Sequence, residues 1–151
     1  MDKNLIENIN KSLITALKSK DKIKLNVLRM VKSALSNEKI KKGRKLHDDD
    51  VINVLSKEIK IRKESIPEFK RGGRQDLVNQ NEKEIEVLQK YMPKPLSENE
   101  VKNIVKKTIQ ELQASGLKDM GKVMGKVSKQ TKGRFEGKKL ALIVRRNLGN
   151  Q

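Results

Sequence analysis

The sequence predicts an all-α protein with an N-terminal four-helix part and a C-terminal three-helix unit. Three observations carry this. Apolar residues recur at three- and four-residue spacing along nearly the whole chain, the period of an amphipathic helix. Only three of the 151 residues are aromatic, Phe69, Tyr91 and Phe135, too few for a sandwich or barrel, whose strands draw on aromatic and β-branched residues. Pro93-Lys94-Pro95 interrupts the pattern once, and two prolines so close fix an extended backbone.

The elements follow in order. Leu5, Ile9, Leu13 and Leu17 form the stripe of a first helix. Asp21 caps a second, with Val27/Leu28, Val31 and Ala34/Leu35 inside. The basic loop Lys41–Lys45 follows. Asp48, Asp49 and Asp50 open a third helix, where acids favour the positive end of the helix dipole. Its stripe is Val51/Ile52, Leu55, Ile59, Arg62 and Ile66. Pro67 predicts a kink or break, with Ser65 and Glu68 as a capping box for a restart. Gly72-Gly73 ends it. A fourth helix runs from about Asp76 to Tyr91 through Leu77, Ile85 and Leu88. Residues 1–92 thus form one helical domain, 93–96 a proline-containing linker, and 97–151 a second domain.

In that second domain Ser97 and Glu100 make a capping box for a helix with Val101, Ile104/Val105 and Leu112 inside, closed by a left-handed Gly116. Asp119 opens a sixth helix with Val123, Met124 and Val127. Residues 131–134 form a turn. Glu136 opens a seventh helix with Leu140, Ile143/Val144 and Leu148.

Composition narrows the function. There is no cysteine, which excludes disulfides, zinc-thiolate and iron–sulfur sites and cysteine nucleophiles. His47 is the only histidine and reads as a helix-entry residue. Asp48–Asp50 point apart on a helix and read as capping residues; no metal or cofactor site is expected. No glycine-rich phosphate loop and no Ser/His/Asp set is visible. The longest apolar run, Leu140–Val144, is too short to span a bilayer. The N-terminus resembles neither a signal nor a transit peptide. The expected location is the cytoplasm, or an organelle if a targeting segment has been removed.

The net charge is +17. Residues 1–96 carry 23 basic and 14 acidic side chains, residues 97–119 four of each, and residues 120–151 nine basic and one acidic. The cationic block overlies Gly121-Lys122-Val123-Met124-Gly125-Lys126. Glycines four apart share a helix face and each costs about 0.5–1 kcal/mol relative to alanine. That cost points to a close approach, either by a neighbouring helix or by a nucleic-acid backbone. Lys129, Lys132, Arg134, Lys138, Lys139, Arg145 and Arg146 extend the block. Clustered cations bind phosphates through counterion release, and few aromatics favour backbone recognition over base stacking.

Several strings resemble the GatB/YqeY family: Val27–Leu35, Arg62–Ile66, Phe69, Gly73–Leu77, Tyr91–Pro93, Leu96–Glu98, Asp119–Gly125 and Lys132–Gly137. They cover nearly the whole chain in order. The resemblance implies two all-α parts, the second similar to the tail domain of the B subunit of the glutamine-dependent tRNA amidotransferase, which contacts tRNA. Free-standing members commonly carry a label of carbon–nitrogen ligase activity with glutamine as amido-N-donor. This chain has neither an amidase Ser-Ser-Lys region nor a nucleotide-binding kinase domain, so the label reads as inherited from the larger relative. The tail's pattern falls on Gly121, Lys122, Gly125, Lys132, Gly133 and Arg134. Phe135 stands where a small residue is usual, Glu136 where Asp is usual and Ser128 where Met is common.

The expectation is a non-catalytic protein binding tRNA or another structured RNA, with a further protein partner in tRNA metabolism and no membrane. Its RNA-binding candidates are Gly121, Lys122, Gly125, Lys126, Lys129, Lys132, Gly133, Arg134, Lys138, Lys139, Arg145 and Arg146. The alternative is an adaptor that docks proteins on its N-terminal helices, the basic face being incidental.

Overall fold

The computed structural model describes residues 4–149. They form seven α-helices: α1 Leu5–Ser19, α2 Lys22–Lys42, α3 Asp48–Arg71, α4 Gln75–Gln89, α5 Glu98–Leu112, α6 Met120–Thr131 and α7 Gly137–Gly149, with a short 3₁₀ turn at Leu117–Asp119. No strand occurs among the described residues. Among the described residues no helix is long and apolar enough to cross a membrane. The chain divides into two compact units between Met92 and Pro93.

The first unit buries Leu5, Ile9, Val27, Leu28, Val31, Leu35, Leu46, Val51, Leu55, Ile59 and Leu88 in one core. The Asn4 and Asp21 side chains accept the Glu7 and Lys24 backbone N–H groups and cap α1 and α2. Leu17, expected in the stripe of α1, is instead exposed, and Ala16 is fully buried. At about 100° per residue, each four-residue step drifts about 40°, so Leu17 has rotated away from Leu5 while Ala16 has returned to it.

α3 runs unbroken through Pro67. The carbonyl that loses its donor belongs to the exposed Lys63, where water can replace the bond. Ser65 caps nothing; its hydroxyl donates to the Ile61 carbonyl at 2.9 Å. The α2–α3 corner is fastened by the buried Asp50. Its carboxylate accepts from Arg44 at 2.8 and 3.2 Å and from the His47 backbone at 2.9 Å, and pairs with Lys42 at 2.9 Å. These donors, Arg44 foremost, hold the Asp50 carboxyl far below the usual carboxylate range. Asp48 accepts the Leu5 N–H at 3.1 Å, fixing the start of α1.

Arg62 lies in the apolar stripe and is buried. It reaches Glu58 at 2.8 Å and Glu84 at 3.7 Å, while its Nε is buried with no hydrogen-bond partner.

The second unit packs α5, α6 and α7 around Val101, Val105, Ile109, Ala114, Val123, Val127, Leu140, Ile143, Val144 and Leu148. The Ser97–Glu100 capping box forms as the sequence predicts, at 3.1 and 3.2 Å. Leu112, expected inside, is partly exposed at the end of its helix, and Ile109 is buried instead. Gln113, not Gly116, takes the left-handed cap of α5, with φ 51°. Gly116, φ 76°, leads into the 3₁₀ turn. The Asp119 side chain accepts the Ser115 N–H at 2.8 Å and closes that loop. The buried Thr108 and Thr131 hydroxyls are satisfied by the carbonyls of Ile104 and Val127.

Candidate nucleic-acid interface

Val123, Val127 and Thr131 turn one side of α6 into the core. At about 100° per residue the opposite side presents Gly121, Gly125, Lys129 and Lys122, all exposed. A Cβ added at Gly121 or Gly125 would meet nothing within 4 Å beyond its own helix backbone. Of the two explanations for these glycines, packing against another helix of their own unit is therefore removed among the described residues. The backbone of α6 lies bare to solvent between lysines.

The solvent side of α7 carries Lys138, Lys139, Arg145 and Arg146, all exposed. The helix contains no acidic residue. Glu136, just ahead of it, comes no nearer to Lys139 than 3.9 Å. Lys132, exposed, ends α6; Gly133 adopts φ 71°, which permits the turn into α7.

Two candidates have structural partners. Lys126 pairs with Glu111 on α5 at 2.7 Å and holds that carboxyl below its ordinary range. Arg134 is half-buried; its Nε donates to the Lys94 carbonyl at 2.9 Å and its own carbonyl accepts the Leu96 N–H at 2.8 Å. The Arg134 N–H is occupied as well, by the Thr131 carbonyl at 2.8 Å. The turn thus offers fewer anion-binding groups than its sequence implies. Phe135 packs against the second core, as do Met120 and Met124.

No group of three or more His, Asp or Glu side chains able to hold a metal occurs among the described residues. One residue of this surface escapes a reading by composition: Leu142, 52% exposed between the cations of α7. The signal that finds it is the helical phase of α7, since it belongs to an apolar run yet falls opposite the buried Leu140, Ile143, Val144 and Leu148.

These features define an all-α, strongly basic protein in which nearly half of the excess charge falls within residues 120–151, the stretch of its last two helices. The model of the Yqey-like protein family matches residues 6–148, and the chain belongs to that family. It is similar to the altered inheritance of mitochondria protein 41 of Pyrenophora tritici-repentis, 30% identical over 93% of this chain and 81% of the relative. The protein of the same name from Lachancea thermotolerans is 34% identical over 73% of this chain and 60% of its own length. An uncharacterised Schizosaccharomyces pombe protein is 32% identical over 62% and 76%.

Proposed function

We propose that this protein binds structured RNA, tRNA foremost, through the solvent sides of α6 and α7, without catalysing a reaction itself. The observation that carries the reading is the bare α6 backbone at Gly121 and Gly125 lying between exposed lysines. Two glycines in a helix are a standing cost of about 0.5–1 kcal/mol each, and among the described residues of this unit nothing uses the space they leave. A sugar–phosphate backbone has both the shape and the charge to use it. Lys122, Lys129, Lys132, Lys138, Lys139, Arg145 and Arg146 supply the cations. The resemblance of this unit to the tail of an amidotransferase subunit supports the choice of tRNA, as an accessory to amidotransferase or tRNA metabolism. The names of the Pyrenophora tritici-repentis and Lachancea thermotolerans relatives place those two proteins in mitochondria, which accords with an organellar site of action.

Titration of tRNA with the chain at increasing salt tests this. About six engaged phosphates give a slope of log affinity against log salt of about −4 to −5. No affinity at low salt, or a flat response, rejects the proposal. The adaptor reading has one observation in its favour: Ile14 and Leu17, three apart on α1, are 54% and 58% exposed. Partners that survive nuclease treatment and are lost on Ile14→Ser/Leu17→Ser substitution would favour it.

A further inference from the structure

Leu142 faces solvent at the middle of α7 while the apolar residues on either side of it in sequence are turned inward or half-buried. The residues four and three before it are Lys138 and Lys139; those three and four after it are Arg145 and Arg146. On an α-helix these are its nearest surface neighbours, within about 60° of its direction and about 5–6 Å between Cβ atoms. All four are exposed. A single apolar side chain enclosed by four cations has the layout of a small recognition patch, with an apolar centre and a charged rim.

The rim takes phosphates; the centre cannot. What Leu142 meets must be apolar and must lie between phosphates. The riboses lining the minor groove of an A-form duplex offer C–H faces beside their 2′-hydroxyls and between the phosphates, and that groove is wide and shallow enough to admit a side chain on a helix. The B-form minor groove is narrow, about 6 Å. A single strand calls for stacking rings, and the three aromatics are committed elsewhere. Tyr91 packs against the first core, Phe135 against the second, and Phe69 is half-buried in α3.

We infer that Leu142 is the apolar centre of the RNA footprint, packed on ribose edges of double-helical RNA while Lys138, Lys139, Arg145 and Arg146 hold the flanking phosphates. This deepens the proposed function and rests on it.

The test uses the full chain, its Leu142→Ala and Leu142→Lys variants, and four probes: a short RNA duplex, the DNA duplex of the same sequence, a single-stranded RNA, and phosphatidylcholine vesicles containing phosphatidylserine. Leu142 is outside the core, so both variants should keep the wild-type melting curve. The expected result is a preference for the RNA duplex that falls about tenfold in Leu142→Ala. It also falls in Leu142→Lys despite the added charge. Tighter binding by Leu142→Lys, with a steeper salt dependence, overturns the inference and leaves the RNA reading standing. Equal affinity for RNA and DNA duplexes overturns the A-form assignment. Leu142-dependent binding to the vesicles assigns the patch to lipid headgroups and overturns it as well. Wild-type chain that binds no nucleic acid at low salt rejects both this inference and the proposed function.

Discussion

Arg134 and Lys94, forty residues apart, are joined by a 2.9 Å hydrogen bond from the Arg134 Nε to the Lys94 carbonyl. With the Leu96 N–H on the Arg134 carbonyl at 2.8 Å, the proline segment is fastened to the turn between α6 and α7. Arg134→Ala should therefore increase hydrogen exchange at Leu96 and proteolytic cleavage near Lys94. It should lower RNA affinity less than Lys138→Ala does. Unchanged exchange at Leu96 would show that the bond does not hold the segment.

Lys126 is engaged by the Glu111 carboxylate at 2.7 Å. Removing that partner by Glu111→Gln should release the lysine to phosphate, tightening RNA binding and steepening the salt slope by about one unit. Lys126→Gln should flatten the slope less than Lys129→Gln. Salt titrations of the three variants check this.

Gly121→Ala and Gly125→Ala have space for the added methyl group. Each should raise stability by about 0.5–1 kcal/mol in denaturant unfolding, because alanine is the better helix former. Each should at the same time weaken tRNA binding by blocking close approach. A variant that is more stable and binds tRNA as well as the wild type would remove the glycines from the interface.

Arg62 neutralises Glu84 inside the first unit. Arg62→Met leaves Glu84 buried and unpaired and should cost about 3 kcal/mol or more. Adding Glu84→Leu should recover much of that loss, while Glu58, more open to water, tolerates losing its partner. Urea midpoints of the single and double variants decide it; equal midpoints for the two would mean the pair is not coupled.

Asp50 is held below its unfolded value, so its contribution is present above the ordinary aspartate pKa, 3.8, and is lost as pH falls through and below it. The wild-type melting temperature should drop as pH falls from about 5 towards 2. Asp50→Asn should melt lower at neutral pH and show a shallower acid dependence. Parallel acid curves for the two proteins would exclude Asp50 as a main source of the acid sensitivity.

The sequence by itself determined the seven helices, the breaks between them, the caps at Asp21 and Ser97, and the concentration of charge after residue 120. These depend on groups within a turn or two of each other: a side-chain oxygen reaching a backbone N–H three residues on, a period of 3.6, a proline without a donor. Only the tertiary structure decided which side of each stripe is covered and which cations are already engaged. Ala16 rather than Leu17 is buried because its helical phase returns it to the side of Leu5 and Ile9, and that is the side α2 and α3 cover. Pro67 is carried without a break because the carbonyl it orphans belongs to the exposed Lys63. Lys126 and Arg134 read as members of one cationic run, yet their partners Glu111 and Lys94 lie 15 and 40 residues away. Local chemistry makes a helix and caps it; what a side chain on that helix touches is settled by the elements that fold back against it.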